Sequence, residues 1–79
     1  MQNYTFDLAN PLRESEVRRG DIVGIEQLPG DKTSVAAFEI LNRDVNSKEG
    51  EYRYRRLSDG LTGKGDFGVS RFYPARKTA

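Results

Sequence analysis

The sequence contains no cysteine and no histidine. Without cysteine, neither disulfide bonds nor thiolate metal sites can hold the chain together, and this absence is typical of proteins from a reducing compartment. Histidine is the commonest metal ligand and the commonest general base near neutral pH. The composition therefore predicts a protein that carries no metal or cofactor and catalyses no reaction.

Long apolar runs are also missing. No segment approaches the roughly 18 consecutive apolar residues of a membrane-spanning helix. Residues 1–7 lack the basic flank and the apolar centre of a secretion signal. We therefore expect a soluble, cytoplasmic protein with no membrane partner.

The remaining catalytic residue types are poorly placed. The lysines are Lys32, Lys48, Lys64 and Lys77. All four fall in predicted loops or in the C-terminal tail, where burial cannot lower the pKa of a lysine enough to make it a base. A carboxylate pair for glycoside cleavage would need a cleft that so short a chain can hardly enclose. An enzyme is the third hypothesis, and a deep pocket lined by carboxylates or holding a buried lysine would indicate it.

The supply of large apolar residues limits the core. Leu, Ile, Val and Phe together account for 18 of 79 residues, just above the roughly 20% below which a charged chain stays disordered. A chain of this length buries only roughly 60% of its unfolded surface. We expect one β-rich domain over residues 1–74 and a frayed basic tail over residues 75–79. A homodimer is possible, since it would bury additional apolar surface.

The centre of the chain predicts a hairpin. Two runs rich in β-branched residues, Ile22–Leu28 and Val35–Leu41, flank a Pro-Gly-Asp-Lys turn at residues 29–32. Proline presets one backbone angle and glycine accepts a positive φ, so the chain can reverse there. The alternation of the second run places Phe38 and Ile40 on the face that we expect to be buried.

Shorter alternating segments predict three more strands. They are Tyr4–Leu8, Glu51–Leu57 and a last strand that includes Phe67, Val69 and Phe72. Pro74 cannot donate a hydrogen bond to a ladder, so we expect the last strand to end at Tyr73-Pro74. Polar residues 46–50 and glycine-rich residues 58–65 predict loops.

One short helix is expected at about residues 11–19. Asn10 and Pro11 are typical of a helix start, and Gly20 follows the segment as a stop signal. The predicted fold class is thus mostly β, either a small five-stranded antiparallel barrel or a strongly twisted sheet. A barrel would remove the exposed strand edges. The alternative is an open antiparallel sheet with the helix packed on one face.

Residues 63–68 read Gly-Lys-Gly-Asp-Phe-Gly and match Gly-x-Gly-x-x-Gly. The motif resembles the phosphate loop of protein kinases, but only eleven residues follow it, which leaves no room for the catalytic and metal-binding segments of a kinase. A dinucleotide-binding fold would need an acidic residue about 20 positions further on. We interpret the segment as a flexible hairpin loop.

Alternating tyrosine and arginine residues fill positions 52–56. Aromatic rings stack on bases and guanidinium groups pair with phosphates, so this composition suits a nucleic-acid surface. The pleat of a strand, however, sends the two residue types to opposite faces. In the alternative interpretation, Tyr52 and Tyr54 line the core while Arg53 and Arg55 are solvated.

The two halves of the chain differ in charge. Residues 1–40 carry four basic and seven acidic side chains, whereas residues 41–79 carry nine basic and five acidic ones. We expect a non-enzymatic interaction protein, an adaptor, accessory protein or inhibitor of a size that also suits viral proteins, docking on another protein or nucleoprotein with an acidic surface. Direct nucleic-acid binding is the second hypothesis. The candidate partner-binding residues are Arg53, Arg55, Arg56, Arg71, Tyr52, Tyr54, Tyr73 and Lys64.

Overall fold

The computed structural model describes residues 4–43, 50–68 and 70–78. Its strands are β1 (Tyr4–Phe6), β2 (Ile22–Glu26), β3 (Val35–Arg43), β4 (Glu51–Arg56), β5 (Thr62–Asp66) and β6 (Phe72–Lys77). The helical segments of the described residues are two single turns of 3-10 helix, at Glu14–Glu16 and Lys32–Ser34. No helix within these residues is long and apolar enough to cross a membrane.

The six strands form one sheet in the order β1-β6-β2-β3-β4-β5, and every neighbouring pair is antiparallel. The mostly β, antiparallel fold predicted from the sequence is confirmed, with six strands instead of five. The sheet is open and does not close into a barrel. Its edge strands, β1 and β5, are not hydrogen-bonded to each other.

The predicted central hairpin is present. Strands β2 and β3 pair antiparallel, with Val23 opposite Phe38 and Ile25 opposite Ala36. The chain reverses between them with Gly30 at a φ of +85°, a conformation that glycine adopts without steric cost.

One face of the sheet, here called the core face, carries the hydrophobic core. Its buried residues are Val17, Val23, Ile25, Ala36, Phe38, Ile40, Tyr52, Phe67 and Phe72, with Leu12 and Tyr54 partly buried against them. The prediction that Phe38 and Ile40 point inward is confirmed. The opposite, outer face buries Ala37 and Tyr73, and the ring of Phe6 lies so close to Gly24 that an added Cβ would meet its Cδ1 at 2.6 Å.

The predicted helix over residues 11–19 does not form. Leu12 donates its backbone N–H to the carbonyl of Phe72 (2.7 Å), which makes it part of the sheet, and only Glu14–Glu16 turns helically. Leu12 and Val17 both pack on the core, yet five residues of α-helix would put them about 140° apart around the axis. A bridge followed by a single turn brings both side chains to the same side.

The C-terminal third also differs from the prediction. The loop expected over residues 58–65 is shorter, because β5 begins at Thr62. The last strand begins at Phe72 and not at Phe67, since the N–H of Ser70 bonds the carbonyl of Asp66 (2.9 Å) and closes a turn between them. Val69 and the loop predicted at residues 46–49 lie outside the described residues.

Strand β6 runs through Pro74 and includes the residues expected to fray. The carbonyl of Pro74 accepts the N–H of Asp7 (3.0 Å). Because the N–H and C=O of a strand residue point to the same side, the N–H that Pro74 lacks would point toward Asp7 and away from β2. No bond between β2 and β6 is lost, and residues 75–77 continue the strand by pairing with β1.

Deletion of residues 75–79 tests this correction. The register between β1 and β6 pairs Tyr4 with Lys77, Thr5 with Arg76 and Phe6 with Ala75. Losing three cross-strand pairs should lower the free energy of unfolding by about 2 kcal/mol, measured by urea denaturation. Deletion of residues 78–79 alone is the control. Equal stability of the two truncated chains would mean that the end of the chain is a frayed tail after all.

Candidate functional site

Strand β4 separates the predicted binding residues by type. Tyr54 lies opposite Ile40, a fully buried residue, whereas Arg55 lies opposite Glu39 on the outer face. Successive side chains of a strand alternate between faces. Tyr52 and Tyr54 therefore belong to the core face, and Arg53 and Arg55 to the outer face. Of the three arginines of β4, only Arg56, opposite Phe38, lies on the core face with the tyrosine rings.

Two of the three candidate tyrosines are buried. Tyr52 is 2% exposed and its hydroxyl donates to Oγ of Ser70 (2.7 Å), while Tyr73 is 1% exposed and its hydroxyl donates to Oε2 of Glu26 (3.2 Å). Burial raises the pKa of Tyr52 above its ordinary value, because the phenolate would be poorly solvated. Neither ring is accessible for stacking on a base.

Tyr54 is partly buried and packs across the glycine-rich motif. Its ring meets Phe38 edge-on, with centroids 5.0 Å apart. The Tyr54 hydroxyl would lie 2.6 Å from a Cβ added at Gly63, and a Cβ at Gly65 would overlap the Tyr52 ring. Gly63 and Gly65 are thus part of β5, where the rings of β4 occupy the space that their side chains would need. The segment is not a free loop.

Arg56 links the two turns at one end of the sheet. Its Nε and Nη2 donate to Oδ1 (2.9 Å) and Oδ2 (2.5 Å) of Asp59, and its Nη1 donates to Oε1 of Gln27 (2.7 Å). These bonds are the main reason that the pKa of Asp59 falls from 3.8 to about 2. Three of the five N–H donors of the Arg56 guanidinium group are thus engaged within the chain, so this group is little available to a partner.

Arg55 is also paired. Its Nη2 donates to Oε1 of Glu39, directly opposite on β3. The pair lies on the outer face, where Arg55 is 48% exposed. An exposed pair of this kind adds little stability, but it neutralises the charge of Arg55 locally.

Arg53 and Lys64 form the basic pair of the site. They lie directly opposite each other on β4 and β5, both exposed on the outer face. Within the described part of the chain, no hydrogen bond or ion pair engages either side chain. Like charges opposite each other destabilise a sheet. The acidic residues Glu51 and Asp66 pair next along the same two strands, also without an ion pair in that part of the chain.

Arg71 lies apart from the basic pair. It lines an open cleft of about 430 Å³ together with Arg13, which approaches it because Leu12 and Phe72 form an antiparallel bridge. Arg71 and Arg13 are both exposed. The eight predicted residues are therefore not one surface, and only Arg53, Arg55 and Lys64 share the outer face of β4 and β5.

A second open cleft, of about 340 Å³, lies on the core face beside β5. Its lining includes Tyr54, Arg56, Leu61 and Gly65. Leu61 is 51% exposed and was not predicted as a site residue. Its position directly before the glycine-rich segment is the sequence signal that could have indicated an apolar contact there. No group of three or more acidic residues that could hold a metal ion occurs among the described residues.

Comparison of the chain with family models, curated proteins and solved structures finds no match. The site must therefore be interpreted from its own geometry.

The link between Arg56 and Asp59 predicts a pH dependence. A carboxyl group with a lowered pKa stabilises the fold above its unfolded pKa, and that contribution is lost as the pH falls from about 4 toward 2. In Arg56→Gln the pKa of Asp59 should rise toward 3.8, as followed by NMR titration of its carboxyl carbon. Asp31 is the internal control, since its pKa is lowered by Thr33 and should not move. An unchanged Asp59 would contradict the assignment.

The packing of the tyrosines on the glycines predicts unequal effects of two alanine substitutions. In Gly65→Ala the new methyl group meets the buried Tyr52, which cannot move, so we expect a loss of about 2–3 kcal/mol in unfolding free energy. In Gly63→Ala the partly exposed Tyr54 can shift, and the loss should be about 1 kcal/mol. Chemical denaturation measures both. If neither substitution changed stability, the motif would be a loop and not a packed strand.

Proposed function

We propose that the protein is a non-enzymatic binding module that docks on an acidic surface of a partner protein through the outer face of β4 and β5. The observation that carries this proposal is the basic pair. Arg53 and Lys64 are opposite each other and exposed, and neither forms an ion pair in the described part of the chain. An acidic group from a partner would relieve their repulsion.

The environment of the basic pair supports a contact surface of limited size. Arg55 lies two residues along β4 and is half-exposed beside Glu39. The acidic pair Glu51 and Asp66 borders Arg53 and Lys64 at the other end of the strands. The outer face therefore has a basic centre and an acidic border, a charge pattern that favours one docking orientation over others.

Nucleic-acid binding has less support. Non-specific binding of single strands uses aromatic rings on which bases stack, beside a basic groove. Tyr52 and Tyr73 are buried. Tyr54 lies on the core face, whereas Arg53 lies on the outer face. The remaining basic groups of the proposed surface are too few to neutralise a long run of phosphates.

The double variant Arg53→Gln/Lys64→Gln tests the proposal. We expect it to bind a short fluorescent polyglutamate peptide about tenfold more weakly than the unmodified chain, because each exposed charge pair contributes roughly 0.2–1 kcal/mol and about 1.4 kcal/mol is a factor of ten. Fluorescence anisotropy at ~50 mM salt, where surface charges are weakly screened, measures the affinity.

Arg18→Gln/Arg19→Gln is the matched control. It removes the same charge from two exposed arginines outside the sheet and should leave the affinity within about twofold. Equal weakening by both double variants would show that net charge alone attracts the peptide. Tighter binding of a single-stranded oligonucleotide than of the peptide, with a steep salt dependence, would favour nucleic acid as the partner.

A further inference from the structure

We propose that the free edge of β5 receives an extended acidic segment of the partner protein as a seventh strand of the sheet. This inference rests on the proposed function and deepens it by naming the form of the partner. Strand addition at an exposed edge gives affinity through main-chain hydrogen bonds and specificity through alternate side chains.

The backbone of β5 is suitably oriented for such pairing. Arg56 donates its N–H to the carbonyl of Leu61 (2.7 Å), and Phe67 donates its N–H to the carbonyl of Gly50 (3.0 Å). In an antiparallel ladder, bonded and non-bonded pairs alternate. Gly63 and Gly65 therefore bond β4, whereas the N–H and C=O groups of Thr62 and Lys64 point away from the sheet.

These outward groups have no other backbone partner within the described residues. The carbonyl of Asp66 accepts the N–H of Ser70 (2.9 Å), so this acceptor is lost to the edge. The open edge is therefore short and offers the N–H and C=O groups of Thr62 and Lys64 and the N–H of Asp66. A segment of about five residues would be long enough to pair with all of them.

The outer face of the added strand would meet the basic pair. Arg53 and Lys64 occupy a non-bonded position of the ladder, where the side chains of opposite residues approach most closely. A residue of the partner that pairs with Lys64 points to this same face. An acidic side chain there would lie beside Lys64 and provide a counter-charge for the basic pair.

The core face of the added strand would meet apolar surface. Leu61 is 51% exposed, and Tyr54 reaches across Gly63 because glycine leaves room for its ring. Both residues line the cleft beside β5. The partner residues on each side of the acidic one point to this face, so we expect them to be apolar and to cover Leu61 and Tyr54.

A second copy of this chain fits the edge less well. Two β5 strands paired with each other would bring Lys64 of one copy near Lys64 of the other, and like charges on paired strands repel. Lysine on an edge strand is a common device against such self-association. The charge at the edge thus selects an acidic segment over an identical strand.

The test is selection of a random heptapeptide library on the full chain, followed by affinity measurement of the enriched peptides. We expect peptides with an acidic residue between two apolar ones. Thr62→Pro removes an outward N–H without changing charge or the bonds to β4, and should weaken binding at least tenfold. Thr62→Val keeps the N–H and should stay within twofold. Hydrogen exchange on the unmodified chain gives an independent readout, since the Lys64 amide should exchange at least tenfold more slowly with peptide bound.

The outcomes separate this inference from the proposed function. Acidic peptides could bind the unmodified chain and Thr62→Pro with equal affinity, leave the exchange rate of the Lys64 amide unchanged, and fail to bind Arg53→Gln/Lys64→Gln. That result would mean that the basic surface docks its partner without strand addition. If no acidic peptide is enriched although polyglutamate still binds through Arg53 and Lys64, strand addition is wrong and the proposed docking stands; if polyglutamate binding is absent as well, both proposals are wrong. Concentration-dependent dimerisation that Thr62→Pro abolishes, measured by analytical ultracentrifugation, would identify a second copy as the occupant and overturn the inference.

Discussion

The packing of two tyrosines of β4 against two glycines of β5 is the contact on which the rest of the structure depends. Tyr52 also meets Phe67 and Phe72, with ring centroids 4.9 and 5.1 Å away. Aromatic side chains bury more surface than any others, which compensates for the small number of aliphatic residues in this chain. The glycines favour this packing because a side chain at either position would meet a ring, a contact that Tyr54 can relieve by shifting and the buried Tyr52 cannot.

This contact also determines where the charges lie. With Tyr52 and Tyr54 fixed on the core face, Arg53 and Arg55 must point outward. The structure then neutralises Arg55 with Glu39, and Arg56 with Asp59. Of the arginines of β4, Arg53 alone is left without an acidic neighbour in ion-pair contact among the described residues. The basic C-terminal half seen in the sequence is therefore reduced to a small patch on the folded surface.

The central hairpin and β4 could be predicted from the sequence, because each is a contiguous run whose alternation shows directly which residues are buried. Alternation also predicted that the tyrosines and arginines of β4 would separate. Local patterns failed where a distant partner decides the structure. Residues 11–19 carry helix-like ends, but the bond from Leu12 to Phe72 draws them into the sheet.

Strand β5 and the end of β6 show the same limit. Thr62–Asp66 has two glycines in five residues and resembles a loop by composition. It forms a strand because the tyrosine rings of the neighbouring strand pack over its glycines. Pro74 resembles a strand end, and its position is harmless only because β1 stops beside it. Ion pairs such as that between Arg55 and Glu39 depend on the register of β3 and β4, which a bulge next to Ile40 shifts. Apart from β4 and β5, which follow each other along the chain, these partners lie far apart in sequence.

The charges of β4 and β5 would also fix the register of an added strand. Lys64 is bordered on β5 by Asp66, and Arg53 is bordered on β4 by Glu51. A strand displaced by two residues keeps its faces, so its acidic residue would lie either beside Asp66, where like charges repel, or beside Thr62, which carries no counter-charge. Displacement by one residue would turn that acidic side chain toward Leu61 and Tyr54, which offer it no counter-charge. The edge therefore discriminates between registers even though the backbone pairing alone does not.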